Sequence, residues 1–360
     1  VLPALQVQFN FTSESLGHMT SAVQIGFIIG TLIFAIFSLA DRFVPNLVFF
    51  LSALAGACFN ATILFTEVSL VKLIFFRFLT GFFLAGIYPV GMKIAADWYE
   101  KGLGKALGFL VGALVLGTAF PHLLNSLQQL FSWKSVLGFV SIFALSGGVL
   151  ILFMPVGPFR KKAPKFKISA VTDVFKVKPL LQSALGYFGH MWELYAFWAF
   201  IPWFLSYYAN RQEISINVSL WSFVIIAIGS VFCVFGGLTS LKKGSFFVAK
   251  NSLLLSGIAC LLSPFLFFLP FPLVIAYLLF WGAMVIPDSP QFSSMVAKAA
   301  PPEIIGTALT IVNCTGFTIS VISIQLLSWV SGFSGFEMYI FLLLLPGPIA
   351  GLLGVKDYGE

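Results

Sequence analysis

Charge is scarce in this chain of 360 residues: only 9% of positions are Asp, Glu, Lys or Arg. So little charge cannot cover the surface of a water-soluble domain of this length. There are four cysteines, Cys58, Cys233, Cys260 and Cys314, with no CxxC pair and no Cys/His spacing. That excludes a disulfide scaffold or zinc module read from spacing, and the four are expected to be small buried hydrophobes. Three histidines, His18, His122 and His190, lie far apart along the chain. No Walker loop occurs, so ATP-driven work is unsupported, and no HExxH or GxSxG suggests a protease or esterase. No metal and no cofactor are expected. Near the start there is no basic head, apolar middle and small-residue cleavage site in that order, so insertion is expected through the apolar segments themselves.

Apolar residues are abundant instead, at 59% of the chain with 43 phenylalanines and a mean hydropathy of +1.01. A bilayer core about 30 Å thick takes roughly 20 apolar residues per helix, and such stretches follow one another here with short polar punctuation. Eleven spans are predicted, near 17–40, 46–66, 69–95, 104–127, 133–154, 180–208, 215–240, 246–268, 271–297, 304–330 and 336–355. The opening Val1-Leu-Pro-Ala-Leu-Gln6 reads as the tail of a further apolar segment, so a twelfth, truncated first helix is expected.

If that first helix runs outward, every Lys and Arg except Lys72, Lys134, Arg211 and the intramembrane Arg77 falls on one side, which is 16 of 20. The positive-inside rule makes that side the cytoplasm and places the C-terminus there. Arg160, Lys161, Lys162, Lys165 and Lys167 form a basic run in the longest polar interval, punctuated by Pro155, Pro158, Pro164 and Pro179. A juxtamembrane loop that meets anionic lipid explains this run better than nucleic-acid binding does, and no nucleic-acid partner is expected. Sequons such as Asn10-Phe-Thr12, Asn60-Ala-Thr62 and Asn313-Cys-Thr315 are read as chance, the last two because they fall within spans.

The interval also divides the chain into residues 1–154, a linker at 155–179 and residues 180–360, with six spans expected on each side. Segments echo across it. Gly30-Thr-Leu-Ile-Phe with Leu39 matches Gly229-Ser-Val-Phe-Cys with Leu238, and Gly104-Lys-Ala-Leu-Gly108 matches Gly306-Thr-Ala-Leu-Thr310 at a nearly equal offset. Parallel repeats of one six-helix unit give such a pattern.

Three motifs resemble the major facilitator superfamily. Phe37-Ser-Leu-Ala-Asp41-Arg42-Phe-Val-Pro45 is similar to the family's GxLADRxGR loop, with Phe37, Val44 and Pro45 in place of Gly, Gly and Arg. Arg77-Phe-Leu-Thr-Gly81-Phe-Phe-Leu-Ala85-Gly86 resembles its RxxxGxxxA span, and Gly108, Gly112, Gly117 and Pro121 partly resemble the glycine-proline pattern of its antiporters. The resemblance implies an all-α integral membrane fold of two six-helix bundles and secondary transport of a small solute by alternating access. It also implies that Asp41 and Arg42 form a cytoplasmic latch. A multi-pass protein of the bacterial inner membrane, acting as a monomer, is expected. A membrane receptor or scaffold, or a membrane enzyme on the same fold, is the alternative.

An ionisable side chain inside a span costs at least about 2.5–3.5 kcal/mol on insertion scales, which makes each one a functional candidate. His190 and Glu193 fall about ten and thirteen residues into the seventh span, near mid-membrane at about 1.5 Å per residue. Their i to i+3 spacing puts them on one helix face, where they can share a proton or meet one polar cavity. Proton coupling is therefore expected. Pro287-Asp288-Ser-Pro290-Gln291 breaks the backbone beside an acid and an amide, as transporters do at sites and gates. Arg77 is the remaining intramembrane charge in this set. Glu193, His190, Asp288 and Arg77 are expected to serve substrate or proton coupling, with Tyr88, Trp192, Tyr195, Trp198 and Gln291 lining the solute path.

Overall fold

In the computed structural model, residue 9 and residues 13–37, 39–67, 69–99, 101–127, 132–160, 176–301 and 305–356 are described. Apolar runs long enough to span lipid leave their backbone no partner but itself, so they close into helices. The helices are α1 Ser13–Ile36, α2 Leu39–Arg42, α3 Pro45–Thr62, α4 Leu70–Leu84, α5 Tyr88–Trp98, α6 Leu103–Ser126 and α7 Trp133–Leu152. After the interval come α8 Lys178–Arg211, α9 Val218–Lys243, α10 Ser245–Leu262, α11 Phe271–Met284, α12 Asp288–Ala299, α13 Ile305–Val330 and α14 Pro346–Gly354, with 3₁₀ turns at Ser263–Phe268 and Glu337–Leu344. Among the described residues, nine helical stretches are long and apolar enough to cross a membrane. The 34-residue α8 is not among the nine, because the residues that give it chemistry also lower its hydropathy.

Two predicted spans are each built from two helices. Residues 70–98 break between α4 and α5, where Pro89 opens α5, and residues 271–299 break between α11 and α12 at Pro287. Proline lacks the amide that would continue the ladder, and it suits the first turn of a helix, whose donors have no partner within the helix. A single Gly244 at φ 79° joins α9 to α10, a left-handed turn that a side chain would strain.

The chain forms two compact units, Val1–Lys101 with Leu127–Val171, and Gly102–Ser126 with Thr172–Glu360. In the first, α1 packs on α4 and α3 packs on α4, α5 and α7. Gly81 makes the α1–α4 approach possible, since a Cβ there would collide with the backbone of Val23. Asn60 donates to the Leu137 carbonyl at 3.3 Å and to Ser141 Oγ at 3.0 Å, so this sequon serves helix packing. In the second unit, α8 packs against α12, α13 and α14, and α6 lies along α9. A Cβ on Gly108 would stand 2.8 Å from the Cys233 carbonyl oxygen, which is why the α6–α9 seam uses small residues. Gly81→Val is expected to remove most of the monodisperse protein recovered in detergent chromatography, while Gly117→Ala, with nothing within 4 Å, leaves the profile unchanged.

Of the cysteines, Cys233, Cys260 and Cys314 are buried as expected, whereas Cys58 is exposed. An apolar residue in a span faces either the protein or the lipid at little difference in cost, so periodicity alone does not choose between them. The outward faces show that chemistry: Val71 on α4 is 77% exposed and Leu150 on α7 67%. The sequon at Asn10 and the basic run at Lys161, Lys162, Lys165 and Lys167 lie outside the described residues.

Candidate functional site

Helix α8 has Gly186, Gly189 and a run of large aromatics, so neighbours approach one face closely while its rings fill the other gaps. His190 and Glu193 sit in its middle with 0% and 1% exposure. They lie on one helix but engage different partners.

His190 Nδ1 lies 2.9 Å from Asp288 Oδ1, and both side chains have no exposure. Asp288 is the first residue of α12, whose positive helix end favours a carboxylate there. The contact has ion-pair distance, yet neither ring nitrogen and neither carboxyl oxygen makes a hydrogen bond of regular geometry to a described residue. An acid and an imidazole held together without fixed donors can carry one proton or two with little rearrangement. The Tyr187 ring lies 5.9 Å from the His190 ring, and its hydroxyl donates to Asn313 Oδ1 at 2.7 Å.

Glu193 turns to α10 and α11. Its Oε1 accepts from the Trp281 indole N–H at 2.7 Å and from the Cys260 thiol at 3.3 Å, and its Oε2 accepts from Ser256 Oγ at 2.9 Å. Ser256 and Cys260 are i and i+4 on α10 and so share one face. All three donors are fully buried.

The remaining candidates are spread more widely. Gln291, fully buried, makes a long 3.5 Å contact from Nε2 to the Gly104 carbonyl. Trp192 donates to the Leu343 carbonyl at 2.9 Å, an anchor between α8 and the 3₁₀ turn ahead of α14. Tyr195 is half-buried against Phe317 at 5.1 Å and Trp198 at 5.4 Å. In the first unit, Arg77 on α4 is half-buried, with no hydrogen-bond partner for its Nε among the described residues, and half-buried Tyr88 opens α5. Arg42 is exposed, and the side chain of Asp41 lies outside the described residues. Nearby, Arg160 Nη2 donates to the Phe43 carbonyl at 2.8 Å, and Lys93 pairs with Asp97 at 3.3 Å.

Sequence reasoning missed Ser256, Cys260, Trp281, Tyr187 and Asn313. The legible signal was a Ser and a Cys four apart in an apolar run. Their common acceptor is 63 residues from Ser256 and 67 from Cys260 along the chain, and no local pattern reports it.

Comparison with known proteins identifies the family and the fold. The profile of the Major Facilitator Superfamily matches residues 1–325. A proton:xylose symporter, XylE, solved with 6-bromo-6-deoxy-D-glucose, is similar in structure at 15% identity and TM-score 0.74, covering 98% of this chain and 89% of its own. The E. coli fucose:proton symporter FucP superposes at 12% identity and TM-score 0.71, with 98% of this chain and 92% of its own covered. The human organic anion transporter MFSD10 (TETRAN) gives 16% identity and TM-score 0.77, covering 98% and 88%. At these identities the likeness concerns the fold alone. A search of curated proteins returned no match.

Proposed function

The chain belongs to the major facilitator superfamily and is a multi-pass membrane transporter, and on that premise we propose that it carries a small polar solute by alternating access coupled to protons. The observation that supports coupling is the His190–Asp288 contact, 2.9 Å long at zero exposure. Such a pair is costly to keep inside a membrane and is poorly explained as packing alone, because apolar residues of similar volume do that work at least as well. Glu193 adds a second buried carboxyl on the same helix. Arg77, Tyr88, Gln291, Trp192, Tyr195 and Trp198 are assigned to coupling or to the solute path, and Asp41 with Arg42 to a cytoplasmic latch.

The further reading is a monomer in a bacterial inner membrane, with the basic loop and C-terminus in the cytoplasm and the linker at 155–179 joining two six-helix halves. Sugars and organic anions are the first solutes to test, since structurally similar proteins carry a sugar with a proton or an organic anion. The test is reconstitution in liposomes with an internal pH dye and an imposed pH gradient. One solute class is expected to move protons with it. Asp288→Asn is expected to reduce that proton flux by at least about tenfold, as loss of one transition-state interaction of ~1.4 kcal/mol would. Uptake that is indifferent to a protonophore would remove proton coupling and leave the carrier.

A further inference from the structure

Glu193 and Ser256 form a hydrogen-bond arrangement that has two complete states. A buried carboxyl that gains a proton must find an acceptor for it, since an unsatisfied buried donor is penalised. At Oε1 neither described partner suits as an acceptor: the Trp281 indole N–H is a donor only, and the Cys260 thiol is a weak partner. At Oε2 the partner is Ser256 Oγ, a hydroxyl that can donate or accept. Ser256 Oγ also lies 3.2 Å from the Leu253 carbonyl oxygen, a second place for its own proton.

We propose that Ser256 is a positioning residue that lets Glu193 exchange a proton without moving. In the ionised state Ser256 O–H donates to Oε2. On proton uptake the new Oε2–H donates to Ser256 Oγ, and the Ser256 hydroxyl hydrogen rotates to the Leu253 carbonyl. One proton is gained, none is lost, and no buried group is left without a partner. Trp281 holds Oε1 in place in both states. Among the described residues the titratable group directly facing Glu193 is Cys260 on α10, and Asp288 is a further buried carboxyl on α12, which packs against α8. Tyr277 on α11 instead donates to the Ala259 carbonyl, and His190 engages Asp288.

This inference rests on the proton-coupled reading for its purpose but can be tested apart from it. Acid-minus-alkaline infrared difference spectra of the full chain in liposomes are expected to contain a carboxylic-acid carbonyl band that is absent in Glu193→Gln. In Ser256→Ala that band is expected to move to the higher frequency of an acid whose O–H has no acceptor, and in Ser256→Thr to return. Proton-driven solute uptake is expected to fall about tenfold in Ser256→Ala, the size that follows from one unsatisfied buried donor, and to recover in Ser256→Thr. A Glu193 band that stays put in Ser256→Ala, or no Glu193 band at any pH, overturns the switch. Solute transport without protons by a protein that still shows the Ser256-sensitive band overturns the coupling and supports the switch.

Discussion

His190→Leu is expected to destabilise the detergent-solubilised protein by about 3–5 kcal/mol, the range found when one member of a buried ion pair is removed. The reason lies in what stays behind. Asp288 has no exposure, and among the described residues its one close polar contact from another helix is the His190 ring at 2.9 Å. Without that ring the carboxylate is left in a dry interior, and it must take up a proton or draw in water. The double variant His190→Leu/Asp288→Leu is expected to recover most of the loss, because two packed apolar side chains replace a desolvated pair at little net cost. Unfolding curves for both singles and the double make a cycle whose coupling energy isolates the pair. A double variant whose loss equals the sum of the two single losses within about 0.5 kcal/mol would mean that the contact has no energetic weight. The stable double variant is also expected to have lost proton-linked uptake, which separates folding from function.

The architecture was legible because lipid imposes a simple code. Runs of apolar residues bounded by Lys, Pro and Asn mark spans, and the eleven expected segments each contain a helix among the described residues. The breaks at Pro89 and Pro287 follow from the missing proline amide. The second unit is a different case. Helix α6 groups there with the segments beyond the basic interval, because Gly108 and Gly112 let it approach α9 at Cys233 and Ser230. Glycines in a membrane helix permit a close neighbour and leave open both whether one comes, as the empty space at Gly117 shows, and which one it is.

Something similar holds for the polar residues. His190, Glu193 and Asp288 stood out as ionisable groups within apolar runs, and all three are buried. Spacing of i to i+3 places His190 and Glu193 on one face but says nothing of the helices that meet it. Those neighbours divide the two residues: α12 brings Asp288 to His190, while α10 and α11 bring Ser256, Cys260 and Trp281 to Glu193. Donors such as an indole or a single serine carry no signature in an apolar span, since both are common there for packing.

Glu193→Ala is expected to lower stability by about 2–5 kcal/mol, while Glu193→Gln stays within about 1 kcal/mol of the parent. Alanine removes the acceptor shared by three buried donors from two helices and leaves a cavity at the centre of α8. Ser256 can turn to the Leu253 carbonyl at 3.2 Å, but the Trp281 ring is held by its contacts with Phe197 at 4.5 Å and Phe341 at 5.2 Å and cannot turn so freely. Glutamine keeps the shape: its amide oxygen accepts from Trp281, and its amide nitrogen donates to Ser256, whose hydroxyl then faces Leu253. Thermal unfolding in detergent, followed by tryptophan emission, measures both changes. Equal melting temperatures for the alanine and glutamine variants would mean that the three hydrogen bonds do not hold α8 to α10 and α11. A stable glutamine variant that still moves protons with its solute would free Glu193 from coupling and leave His190 and Asp288 to carry it alone.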